Sequence, residues 1–99
     1  MKMKALIVDD NTLNLKIAQR LVEQQGLEVD AVTSGFECLD KVRENYYDII
    51  FMDIMMPEMD GVETFKKLKE IENFNTPVVT LTADAKVGSE ELLERNLLI

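Results

Sequence analysis

The sequence predicts an α/β domain in which a doubly wound parallel sheet carries helices on both faces. Two observations carry this. Short apolar runs alternate with longer amphipathic stretches from one end of the chain to the other, and that alternation implies parallel strands joined by right-handed helical crossovers. Three of the apolar runs also stop at side chains with chemistry to offer: Asp9-Asp10, Asp53 and Thr82. With 99 residues and neither a linker nor an internal repeat, residues 1–99 read as one domain.

Ala5 to Val8, following Lys4, is a continuous apolar run that ends at Asp9, the pattern of a strand buried on both faces. From Asn11 the period changes. Leu13, Ile17 and Leu21 recur every fourth residue beside Ala18 and Val22, marking one face of a helix that Gln25-Gly26 stops. Leu27 to Val32 alternates Val29 and Ala31 with Glu28 and Asp30, which suits an edge strand. Ser34 and Glu37 have the spacing of a reciprocal helix N-cap, with Phe36, Leu39 and Val42 as the apolar face and Cys38 a small buried hydrophobe. Tyr46-Tyr47 should pack at the entry to the next strand, Asp48 to Met52. A loop containing Pro57 and Gly61 leads to a third helix, capped by Asp60 with Glu63, whose stripe is Val62, Phe65, Leu68 and Ile71. Met52, Met55, Met56 and Met59 are expected to fill core gaps. Pro77 to Leu81 is a fourth strand. From Ser89, Glu90-Glu91 followed by Leu92, Leu93 and Leu97 predicts a fourth helix, with acids at its positive end.

Composition removes several functions. Nineteen acids against eleven bases give a net charge of −8, too few cations to displace counterions from nucleic-acid phosphates, so no direct nucleic-acid binding is expected. No apolar run approaches the ~20 residues of a membrane span, and a single cysteine makes no internal disulfide. A cytoplasmic protein is the expectation. With no histidine there is no imidazole base or metal ligand, so a metal site must be built from oxygen and hold a hard cation.

In an open parallel sheet, ligands bind outside the carboxyl ends of the strands. The predicted fold therefore gathers Asp9, Asp10, Asp53 and Thr82 into one crevice. Two carboxylates 4 to 5 Å apart repel by roughly 3 to 4 kcal/mol at an effective dielectric near 20, and a divalent cation turns that repulsion into attraction. Magnesium, with manganese as a substitute, suits a few carboxylates, waters and a phosphate. A carboxylate beside such an ion, with a hydroxyl opposite, is arranged for phosphoryl transfer.

Three stretches carry a family resemblance: Leu6-Ile7-Val8-Asp9-Asp10-Asn11, Met52-Asp53-Ile54-Met55-Met56-Pro57-Glu58-Met59-Asp60-Gly61, and Pro77-Val78-Val79-Thr80-Leu81-Thr82-Ala83. From Ala5 to about Glu94 the chain resembles the response-regulator receiver domains of two-component signalling. Asn11 to Ala18 and Thr82 to Ala85 look most like receivers attached to hybrid sensor kinases. The resemblance implies a flavodoxin-like strand order, 2-1-3-4-5 in the family and 2-1-3-4 here. It implies an aspartate that takes phosphate from the phosphohistidine of a sensor histidine kinase or phosphotransfer domain, and a signalling phosphoacceptor rather than an enzyme. Asp53 matches the phosphoacceptor, Asp10 the direct magnesium ligand and Asp9 its neighbour acting through water. Met55 would offer its backbone carbonyl to the metal. Thr82 matches the switch hydroxyl and Ala83 a backbone N–H donor, while Pro57 and Gly61 shape the loop after Asp53.

The chain also departs from the family pattern. Members continue with a fifth strand bearing an aromatic residue, a lysine followed by proline, and a fifth helix. After Thr82 this sequence has only Lys86 and Arg95 as bases, and neither follows an apolar strand. The departure implies an alternative reading: a degenerate or truncated receiver that binds magnesium or partners but is poorly phosphorylated. It would also leave Pro77 to Leu81 as an exposed edge, for Asn96 to Ile99 to cover as a short strand or for a second copy to pair with. A piece of a longer receiver gives the same pattern. Two other functions fit less well. An aspartyl-phosphate phosphatase usually has a second aspartate where Met55 stands, and a nucleotide-binding Rossmann unit needs a glycine-rich loop after the first strand.

Overall fold

A computed structural model describes residues 2–81, and the order of elements is the expected one. They are β1 (Lys4–Val8), α1 (Thr12–Gln24), β2 (Glu28–Val32), α2 (Gly35–Glu44), β3 (Ile49–Asp53), α3 (Gly61–Lys69) and β4 (Val78–Leu81). The expected helix from Ser89, the short strand Asn96 to Ile99, and Thr82, Ala83, Lys86 and Arg95 lie outside the described residues.

The four strands are parallel in the order β2-β1-β3-β4. Because the order reverses at β1, right-handed crossovers send α1 to one face and α2 and α3 to the other. β1 is buried on both faces: Ala5, Leu6, Ile7 and Val8 are all fully covered. Leu6 and Val8 join Ile50, Met52, Cys38, Leu39, Tyr47, Leu68 and Val78 in the main core, which lies between the sheet and the α2–α3 layer. Half-polar β2 is at the end of the sheet, as its alternation requires.

Caps set the helix ends. Asn11 accepts the Asn14 N–H at 3.0 Å, and Asp60 accepts the Glu63 N–H at 2.8 Å. Ser34 accepts the Glu37 N–H at 3.1 Å, but the return bond shifts by one residue, because Glu37 takes the N–H and hydroxyl of Thr33. Gly26 closes α1 at φ +92°, a left-handed conformation that glycine adopts without strain.

Seven apolar side chains depart from the expected packing. Phe36 and Val62 face solvent, while the small residues Gly35 on α2 and Thr64 on α3 let the two helices approach closely. A Cβ on Gly35 would run into the Thr64 hydroxyl. Tyr47 packs at the entry to β3 as expected, but its neighbour Tyr46 is exposed. Met52, Met56 and Met59 fill core space, whereas Met55 is 79% exposed. On α1 the stripe of Leu13, Ile17 and Leu21 is exposed too, and the residue buried from this helix is Leu15.

Candidate functional site

Strand register builds the site. Val8 pairs with Met52, so the next residue on each strand, Asp9 and Asp53, leaves the sheet at the same level. Asp10 follows at the turn into α1. The three side chains each present a carboxylate oxygen within 4.8 Å of the others, with Asp9 and Asp53 buried and Asp10 exposed. Among the described residues no lysine or arginine pairs with any of them.

Local hydrogen bonds fix the carboxylates. The Asn11 N–H donates to Asp9 Oδ1 at 2.9 Å, and the Met55 N–H donates to Asp53 Oδ1 at 3.2 Å. Both reach back two residues, the Asx pattern that short acidic side chains make at turns. Burial pushes the Asp53 carboxyl up to about 6, the Asp9 charge adds to this, and the Met55 amide opposes it. A carboxylate raised by burial and by like charge marks a place where positive charge is missing. Three oxygen donors without nitrogen or sulfur suit a hard cation such as magnesium.

The loop after β3 holds this arrangement. Pro57 precedes Glu58 at φ 66°, the order found in type II turns, where proline presets the first central residue. The Gly61 N–H donates to the Ile54 carbonyl at 2.9 Å. A Cβ on Gly61 would run into the Asp53 carbonyl oxygen and come within 2.8 Å of Ile54 Cα, so only glycine lets α3 start this close to the phosphoacceptor candidate.

The structure thus brings together Asp9, Asp10, Asp53 and the Met55 backbone, with Gly61 packed against the Asp53 carbonyl and Pro57 in the exposed loop between them. Sequence reasoning did not assign Asn14, Ala18 and Leu81 to the site. With Asp9, Asp53, Ile17 and Leu21 they line a cleft of about 200 Å³ over the acids. Their signal was available, since Asn14, Ile17, Ala18 and Leu21 follow helical spacing from the acidic turn.

The sequence matches the response regulator receiver domain family over residues 5–95. This chain is a receiver domain. It is 42% identical over 96 residues to the polar-differentiation response regulator DivK of Brucella ovis, covering 96% of this chain and 78% of the relative. Among solved structures it resembles the receiver domain of the histidine kinase CKI1 from Arabidopsis thaliana, complexed with Mg2+ and BeF3-. That likeness has a TM-score of 0.79 at 33% identity, over 91% of this chain and 71% of the other. It also resembles the receiver domain of sensor histidine kinase PA1611 from Pseudomonas aeruginosa PAO1, whose active-site cleft coordinates magnesium. Here the TM-score is 0.80 at 27% identity, over 97% and 80% of the two chains. Receiver domains are signalling modules that bind magnesium and interact with histidine kinases or phosphotransfer proteins. The acidic cluster of this chain is consistent with that. Among the described residues no helix is long and apolar enough to cross a membrane.

Proposed function

We propose that this receiver domain accepts a phosphoryl group on Asp53 from the phosphohistidine of a sensor histidine kinase or phosphotransfer domain. The observation that carries the reading is the convergence of Asp9, Asp10 and Asp53 with a raised Asp53 carboxyl and no cationic partner among the described residues. Magnesium, or manganese in its place, would be held by these carboxylates and the Met55 backbone carbonyl, and would supply neutralising charge for the phosphoryl oxygens. An Asp53 carboxylate oxygen attacks phosphorus while the phosphorus–nitrogen bond breaks. The donor imidazole leaves with the bonding pair and takes up a proton. The Met55 amide orients Asp53 through its 3.2 Å hydrogen bond, and Gly61 and Pro57 hold the loop that supports it. The Thr82 hydroxyl and Ala83 N–H are assigned as donors to the acquired phosphoryl group. Its pull on Thr82 would shift the domain between two conformations, as phosphorylation does by local charge. The chain acts as a cytoplasmic phosphoacceptor without a separate small-molecule substrate, and its charge of −8 opposes direct nucleic-acid contact.

Incubation with acetyl phosphate and magnesium tests this by intact mass. Stoichiometric modification lost in Asp53→Asn supports the reading. Unmodified protein that still binds magnesium selects the degenerate receiver instead. Val78–Leu81 pairs with β3 on one side, and among the described residues no strand lies on its other side. We assign this edge as the contact for a homodimer, which light scattering across a concentration series checks.

A further inference from the structure

The loops that lead into β3 and β4 share a cleft of about 100 Å³ at the amino end of the sheet, the opposite end from Asp53. Tyr46 and Phe74 give it aromatic surface, and Asn45, Glu72, Asn73 and Asn75 give it polar groups. Tyr46 is 68% exposed, an aromatic ring left in water. Asn73 takes φ 67°, a left-handed conformation that asparagine tolerates better than most residues, and the Phe74 N–H closes the turn on the Ile71 carbonyl at 3.1 Å. That turn brings Glu72 and Phe74 to the same cleft.

The polar groups here are mostly uncommitted. Asn45 donates its side-chain N–H to the Lys41 carbonyl at 3.2 Å, which leaves its oxygen to accept. Among the described residues the side chains of Glu72, Asn73 and Asn75 make no hydrogen bond or ion pair. Among them, too, no cation lines the cleft. Arg43 pairs with Asp40 at 3.5 Å, Lys69 lies 5.6 Å from the Phe65 ring, and Lys4 lies 5.3 Å from the Tyr47 ring. The exposed Glu44 and Glu70 stand close by in sequence and add negative charge. Aromatic faces, a carboxylate and spare carboxamide oxygens together select a flat cation. A guanidinium stacks through its face and donates from its edge, which an ammonium does not do. The volume equals that of roughly three liquid waters, room for one such group and not for a whole amino acid.

We propose that this cleft takes the side chain of an arginine from a basic protein segment, with the guanidinium face on Tyr46 and Phe74 and its N–H groups donating to Glu72 and the Asn45 oxygen. The chain's charge of −8 favours a basic segment over free arginine, whose carboxylate would meet Glu44 and Glu72. Docking at this end leaves the carboxyl end of the sheet open, so a partner can hold the domain while Asp53 stays accessible. The proposal does not depend on phosphorylation.

Titration of the full chain with acetyl-Gly-Arg-Gly-amide, followed by backbone amide chemical shifts, tests it. Peptides carrying citrulline or lysine in place of the arginine, and free arginine, serve as controls. The expected result is saturable shifts at residues 45–47 and 71–76, with the arginine peptide binding about tenfold more tightly than the citrulline peptide. The lysine peptide and free arginine should each bind about threefold more weakly than the arginine peptide. Tyr46→Ala and Glu72→Gln should each weaken the arginine peptide by about fivefold, while Tyr46→Phe, which keeps the ring, should not. Both side chains are exposed, so these changes leave the fold intact. Shifts that do not saturate, a control that binds as tightly as the arginine peptide, or binding indifferent to Tyr46→Ala and Glu72→Gln would each overturn the proposal.

Discussion

Acidic side chains sit at both ends of this sheet under opposite electrostatics. Toward the amino end, Asp30 accepts the Tyr47 hydroxyl at 2.6 Å and has Lys4 Nζ at 3.6 Å, while Asp48 accepts the Lys4 N–H at 2.8 Å. The Tyr47 hydroxyl, with help from Lys4, holds the Asp30 carboxyl below its usual range, against the opposing effect of burial. At the carboxyl end, Asp53 is more deeply buried, faces Asp9 and Asp10, and is pushed up to about 6. The same residue type thus meets its charge requirement inside the chain at one end and leaves it open at the other. Folding stability would favour neutralising both ends, so the open end is where function departs from stability.

The sharpest way to break this comparison is Asp53→Asn, which should abolish modification by acetyl phosphate while stabilising the metal-free fold. Mass spectrometry and urea unfolding measure the two, and a destabilised Asp53→Asn would mean the carboxyl end is not under charge stress. Next in size, Asp10→Ala should weaken magnesium binding at least tenfold, about 1.4 kcal/mol, without lowering metal-free stability. Titration calorimetry checks it, and unchanged affinity would remove Asp10 from the cation site. Tyr47→Phe should act only at the amino end, costing about 1 kcal/mol of stability for a charge-assisted bond to a partly exposed carboxylate. Magnesium affinity should not move.

The smallest effect is the pH response. The Asp53 pKa in the folded chain lies above its unfolded value of 3.8, so protonation favours the fold. That stability is fully present below 3.8 and lost as pH rises through about 6. Between pH 7 and 5.5 the metal-free protein should therefore gain about 0.5 kcal/mol, after allowance for solvent screening. Saturating magnesium should remove this gain. Asp30 behaves in reverse: its lowered pKa contributes stability above 3.8 that is lost at more acid pH. Unfolding curves across this range separate the two ends.

Much of the fold was legible because burial leaves a periodic trace. Ala5 to Val8 could only be a strand covered on both sides, and β2, with its alternating acids, could only be an edge. The acid cluster was legible because strands that share a direction must bring their last residues to one side. What period alone misjudged were positions decided by a neighbour. Phe36 and Val62 have core chemistry and helical spacing, yet small residues beside them take the contact between α2 and α3. Met55 follows the strand but turns outward, because its amide is committed to Asp53. The Tyr47–Asp30 bond joins residues 17 apart in sequence and had no local signal.

The sequence alone determined the order and type of the described elements, the oxygen-only chemistry of any metal site, and the identity of the three converging acids. Those follow from local period and residue chemistry, which act within a few positions of the chain. Only the tertiary structure decided which carboxylates are charge-stressed and which are satisfied, why residue 61 must be glycine, and that α1 presents an apolar stripe outward. Burial, like-charge approach and steric clearance depend on what distant segments bring to within a few ångströms, and no local pattern encodes that.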